Sequence, residues 1–160
     1  MPFKLRGIDL PSVFNVAGAR NFFGQGDIGG DWRQHKPLKL LVPGYSWEGA
    51  GFISKTTTLY QRSGKMPLRA DLQSEDYLPG CVYVDWRKGI VLNDISLSGP
   101  GAMILFNLGI WQKKTEPFLI SFMSVAPDKE ARLRETEAFC IFLDRVRRIR
   151  PRFQAKFGLE

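Results

Sequence analysis

The run Phe118-Leu-Ile-Ser-Phe-Met-Ser-Val125 constrains this chain more than any other stretch. It is apolar almost throughout, as a strand covered on both faces should be. Pro127 and Asp128 follow at once and open a helix. In that helix Ala138, Ile141, Phe142, Val146 and Ile149 recur at helical spacing on one side, with charges opposite. A buried strand feeding an amphipathic helix is the βα unit of a parallel sheet.

The same alternation runs upstream. Residues 12–18 form a short apolar strand stopped by Gly18, and residues 50–55 form a second. Ser98-Gly-Pro-Gly101 then opens an apolar helix over 102–112. Between these, residues 81–93 read as an antiparallel hairpin turning at Gly89. Residues 19–48 are rich in Gly and aromatics and leave a helical stretch open without fixing its bounds, while 156–160 resemble the start of another strand. The expected fold is α/β, with parallel βα repeats and a small hairpin inserted around 81–93, in a single domain over 1–160. A chain of 160 residues, 44% hydrophobic and with twelve Phe, has enough material for one core. Sixteen Gly and ten Pro suit the many turns of such a fold better than a helix bundle.

In parallel sheets ligands meet the carboxyl ends of the strands. That rule gathers Ala17, Gly18, Lys55, Thr56 and Ser124 at one end. Lys55 stands out because it closes an apolar run and is followed by three threonines. Either the strand simply surfaces there, or an ammonium is held at the rim of a pocket.

Other chemistry is limited by composition. His35 is the only histidine, which excludes a multi-histidine metal site; it lies in the polar stretch 31–36 and reads as solvated. Cys81 and Cys140 are too few for a disulfide framework, and Cys140 reads as a buried inert thiol in a helix. The net charge of +7 is concentrated partly in Arg145-Val-Arg-Arg-Ile-Arg-Pro-Arg152. No aromatic platform is interleaved there, so a solvated helix end explains it better than nucleic-acid binding. No apolar run approaches the roughly 20 residues of a membrane span, and no signal-like opening is present. The expectation is a soluble, cytoplasmic protein.

Four segments in register resemble the dihydroorotate dehydrogenases, FMN-dependent TIM barrels of pyrimidine biosynthesis. They are Phe14-Asn-Val-Ala-Gly18, Ile53-Ser-Lys-Thr-Thr-Thr-Leu59 with Gly64 and Pro67, Val91-Leu-Asn-Asp-Ile-Ser-Leu-Ser-Gly-Pro-Gly101, and Pro117-Phe-Leu-Ile-Ser-Phe122. The resemblance implies the N-terminal half of a (β/α)8 barrel. It implies that Ala17 and Gly18 lie against the flavin, with Lys55 and Thr56 beside it. Lys55 would also meet the substrate, Asn93 would hydrogen-bond it, and Asp94, Ile95, Ser96 and Leu97 would cradle it. An ammonium beside the flavin favours the negative charge gained on reduction and attracts a substrate carboxylate.

Two positions depart from the pattern: Ser96 stands where the family has glycine, and Lys65 where it has asparagine. A closed barrel takes ~200 residues or more. The resemblance therefore implies that the base-bearing loop and the phosphate loops lie beyond Glu160, as a continuation or a second polypeptide. Three readings follow from the sequence. One is a flavoenzyme half that oxidises dihydroorotate to orotate once completed. Another is a non-catalytic half-barrel that self-associates as a homo-oligomer. The third is a basic nucleic-acid binder.

Overall fold

The computed structural model describes residues 3–5, 7–85 and 87–149. In chain order the elements are β1 (Phe3–Leu5), β2 (Ile8–Leu10), α1 (His35–Leu41), β3 (Phe52–Ile53), β4 (Val82–Asp85), β5 (Ile90–Asn93), α2 (Ala102–Asn107), β6 (Phe118–Leu119) and α3 (Lys129–Ile149). Arg150, Arg152 and the strand expected at 156–160 lie outside the described residues.

The centre of the fold is a small parallel sheet. β3 pairs with β6, Phe52 opposite Phe118 and Ile53 opposite Leu119. Beyond the regular strands the pairing continues, with the Thr57 N–H donating to the Ser121 carbonyl at 2.9 Å and Met123 N–H to the Thr57 carbonyl at 3.0 Å. On the other side of β3, the Gly51 N–H donates to the Val13 carbonyl at 2.8 Å, and Phe14 bridges Gly51 in parallel. Asn15 extends this edge with its side chain. Its Oδ1 accepts from Ile53 N–H at 2.9 Å and its Nδ2 donates to the Ile53 carbonyl at 2.8 Å. One amide thus does for β3 what a backbone ladder does elsewhere.

The connection from β3 to β6 carries the β4–β5 hairpin and then α2. The hairpin is antiparallel, Val82 opposite Asn93 and Asp85 opposite Ile90. Its turn is held by Asp85 Oδ1, which accepts from the N–H groups of Arg87 and Lys88, and by Gly89 at φ +64°. The architecture is mixed α/β with a short parallel sheet and antiparallel hairpins, and no closed barrel forms among the described residues.

One side of the sheet packs against the helices. Phe118, Ile120 and Phe122 pack against a core of Phe22, Phe23, Leu105, Phe106, Trp111 and Phe139. Phe122 stacks on Phe139 with ring centroids 4.0 Å apart. Trp111 is fully buried, its indole N–H bonded to the Phe22 carbonyl at 2.8 Å and its ring edge-on to Phe23 and Phe106. The alternate residues Leu119 and Met123 are exposed, as strand alternation demands when only one face is covered. The expectation of a strand buried on both faces is corrected accordingly.

Several details differ from the sequence reading. The helix expected over 102–112 ends at Asn107, because Gly109 takes φ +70° and stops it; a single 3-10 turn follows at Trp111–Lys113. The buried stripe of α3 runs through Phe139, Phe142, Leu143 and Val146, whereas Ala138 and Ile141 are exposed. Aromatic and leucine packing at i, i+3, i+4 and i+7 sets that phase. β1–β2 was not anticipated, and α1 gives bounds to the helical stretch left open within 19–48. The former is a three-residue hairpin turning at Gly7, φ +79°, and the latter begins where Pro37 fits a first turn.

Candidate functional site

A cavity of about 870 Å3 opens beside the carboxyl ends of the parallel strands. Ala17, Gly18, Lys55, Thr56, Asn93, Asp94, Ile95, Ser96 and Leu97 all line it. Every residue expected to meet cofactor or substrate therefore shares one space. Ser124 does not join them. Its hydroxyl and the Val125 N–H bind Glu135 Oε2, at 2.6 and 3.1 Å, and so secure the approach to α3.

Lys55 is the centre of this arrangement. It is 4% exposed, and its ammonium donates to the Ser98 carbonyl at 2.7 Å. The same group lies 5.2 Å from the Phe22 ring centroid, within cation–π range. Burial alone draws its pKa from 10.5 to about 8, with no carboxylate among the described residues compensating. A buried cation without an anionic partner is costly, and such groups concentrate where an anion binds or chemistry occurs. The ammonium remains largely protonated at neutral pH and keeps two N–H donors beyond the one bound to Ser98.

The loop after β5 is built around two polar side chains. Asn93 Oδ1 accepts from the Ile95 N–H at 3.1 Å, an Asx turn that leaves the Nδ2 donors of Asn93 open. Asp94 is held by the Lys65 ammonium and by the Ser96 hydroxyl at 3.0 Å. These two partners push the Asp94 carboxyl below its usual range, and the same contact raises Lys65. Ser96 and Leu97 both take φ +58°, the left-handed region that favours glycine. Below them Ser98 Oγ accepts from the Met66 N–H at 3.1 Å, and the Lys65 N–H donates to the Ile95 carbonyl at 3.0 Å. The loop is thereby tied to residues 64–66. Gly64 sits in the contact at φ +57°, and a Cβ there would meet Ser98 Oγ at 2.1 Å and the Ile95 carbonyl at 2.7 Å.

At Gly18, φ +91°, the space where a side chain would stand holds nothing within 4 Å. The turn is fixed from behind by Trp32, whose indole N–H donates to the Gly18 carbonyl at 2.9 Å. Thr56 Oγ1 and Ser121 Oγ lie 2.9 Å apart and join the ends of neighbouring strands.

Trp32, Gln34 and His35 also line the cavity, and sequence reading missed all three. The segment is anchored. Gln34 Nε2 donates to Ser74 Oγ at 3.1 Å and to the Tyr77 carbonyl at 2.6 Å, while the Arg33 N–H donates to Gln73 Oε1 at 3.0 Å. His35, expected to be solvated, is instead half-buried beside Tyr45 and Trp47, with ring centroids 6.1 and 5.9 Å away. The available signal was Pro37 ahead of Leu38, Leu40 and Leu41, which marks a helix start and places His35 in its first turn. Cys81 and Cys140 are free, half-buried thiols outside this cavity.

No group of three or more His, Cys, Asp or Glu stands together as a metal site among the described residues. No helix among them is long and apolar enough to cross a membrane. No protein-family model, no curated protein and no solved structure matches this chain.

Proposed function

We propose that this chain is the flavin- and substrate-facing half of a dihydroorotate dehydrogenase-type barrel, binding FMN and a dihydroorotate-like pyrimidine in the Lys55 cavity. The observation that carries the reading is the buried, uncompensated Lys55 ammonium in the same cavity as Gly18 and the Asn93–Leu97 loop. The parallel order of residues 13–15, β3 and β6, with helices in the connections, supports the start of a (β/α)8 barrel.

The residues present fit such a pair of ligands. The open space over Gly18 suits a flat ring lying against backbone, and Lys55 supplies a fixed cation for an anionic edge. FMN, when bound, supplies an acceptor for the hydride removed from substrate. Lys55 attracts and orients the substrate carboxylate, and the Asn93 amide donors hold a ring carbonyl. Asp94, Ile95, Ser96 and Leu97 limit the room above it. The proton acceptor and the phosphate-binding loops belong, on this reading, to a complementary half, and the assembly is a cytoplasmic oxidoreductase.

A flavin titration tests it. Purified chain should quench FMN fluorescence saturably but weakly, and Lys55→Ala should abolish the quenching without loss of helical circular dichroism. Absence of any saturable effect at millimolar FMN would sink the reading. A non-catalytic, self-associating half-barrel is favoured instead by the exposed Val13, Leu119 and Met123 along the sheet.

A further inference from the structure

Among the groups lining the Lys55 cavity, His35 has no counterpart in the expected site, and its surroundings are unusual for a structural histidine. Its ring touches Tyr45 and Trp47 but makes no hydrogen bond to any described residue. Nδ1 is buried and unpartnered. A structural imidazole normally uses at least one nitrogen, and here neither ring nitrogen is bonded to a described residue. With Nδ1 enclosed, Nε2 is the nitrogen left for an occupant of the cavity.

The segment that carries His35 is not loose. Trp32 binds the Gly18 carbonyl, Gln34 binds Ser74 and Tyr77, and Gln73 Nε2 donates to the Asp31 carbonyl at 3.1 Å. These bonds link the wall bearing His35 to the Gly18 turn and to residues 73–77. An imidazole presented by so many fixed partners, yet bound to none itself, is preorganised for a ligand.

The charged groups around the ring are Asp31, Arg20 and Lys39, with the phenol of Tyr45 against one edge. Asp31 is itself engaged by Arg20, Nε to Oδ1 at 2.6 Å, and so is not free to pair with the imidazole. Burial, the largest influence, lowers the His35 pKa from 6.5. The ring is therefore neutral at neutral pH and able to donate or accept a single hydrogen bond.

We propose that His35 is a ligand-binding residue of this cavity, its Nε2 meeting a polar edge of the bound heterocycle on the wall that Trp32 and Gln34 complete. The proposal rests on the reading of the cavity as a flavin and pyrimidine site, and adds to it a contact from the 31–41 segment. An amide- or imide-containing ring, with N–H donors beside carbonyl acceptors, is the ligand class that a neutral imidazole recognises.

The test uses a tag-free chain, in which His35 is the only histidine, so that its imidazole carbon-bound protons give a single assignable set of NMR signals. FMN and orotate are the probes, each also followed by calorimetry. The expected result is that a probe which binds shifts the His35 signals and moves their titration midpoint. His35→Gln should weaken that probe about three- to tenfold, the loss of one ordinary hydrogen bond, with an unchanged melting temperature. Binding by calorimetry with unmoved His35 signals and midpoint would overturn the proposal and leave the reading of the cavity intact. If neither probe binds at millimolar concentration, the reading and the proposal fall together.

Discussion

The Lys55 ammonium donates to the Ser98 carbonyl at 2.7 Å across 43 residues of sequence. This bond joins the end of one parallel strand to the base of the loop that bears Asn93 and Ser96. It also explains how a lysine is tolerated at 4% exposure. One donor is satisfied by backbone and the aromatic face of Phe22 lies close by, but no described residue supplies an anion.

That arrangement gives stability a defined pH dependence. Burial lowers the folded-state pKa of Lys55 from 10.5 to about 8, so the unfolded chain binds the extra proton between those values. Stability contributed by this group rises with pH through that window, and the cost of the buried charge is fully present below about pH 8. Lys55→Met removes a cost on the order of 3 kcal/mol and leaves the Ser98 carbonyl unpaired at about 1. Denaturant unfolding at pH 7 should show a gain of roughly 1–3 kcal/mol, shrinking toward pH 10. A loss of stability in Lys55→Met at pH 7 would show that the ammonium is held favourably.

Gly64 packs against the loop at 95–98, where that loop is tied to residues 64–66. Gly64→Ala places a methyl group 2.1 Å from Ser98 Oγ and 2.7 Å from the Ile95 carbonyl, at a backbone φ of +57° that itself disfavours a side chain. The left-handed conformation alone costs about 1–2 kcal/mol, and the contact with backbone adds to it. The variant should lose at least ~2 kcal/mol. Amide exchange should accelerate first at Met66 and Ile95. Stability within error of the parent would contradict the packing described.

Ser96 carries the opposite prediction. At φ +58° it holds a conformation glycine adopts freely, and its hydroxyl bond to Asp94 lies at an exposed site. Ser96→Gly should be neutral or stabilising, by up to ~1 kcal/mol, and should leave FMN quenching unaltered. A loss above that size would mean that the Asp94 contact organises the loop more strongly than its exposure suggests.

Much of the site was legible because its residues sit at element ends. Strand-end logic placed Ala17, Gly18, Lys55 and Thr56 together, and the motif resemblance added Asn93–Leu97. Ser124 failed the same logic because an acceptor on α3, Glu135, captured its hydroxyl, and no local pattern announces such a partner. His35 and Trp32 were missed for a related reason. Their segment has little periodicity of its own and is held by side-chain bonds to residues 73–77 and to Gly18, some of them more than 40 positions away. The phase of α3 was misread because Ala138 and Ile141 match the helical spacing as well as Phe139 and Leu143 do. Only the bulk of the rings facing Phe122 decides between them.

The exposed side of the parallel sheet leads to the last prediction. Val13 is 64% exposed, Leu119 39% and Met123 51%, on the segments that flank β3. Among the described residues, 13–15 and β6 each pair with one neighbouring strand, so both lie at the sheet's edges. Apolar side chains beside open edges favour pairing with another chain over solvation. The purified chain should therefore sediment as a dimer or larger species at micromolar concentration. Met123→Asp or Leu119→Lys should shift it toward monomer, because a charge on that face must be desolvated for the edges to meet. If a complementary half-barrel is the true occupant, adding it should dissolve the homo-oligomer and produce a one-to-one species. A stable monomer near 18.2 kDa at all concentrations would show that these edges are not association surfaces.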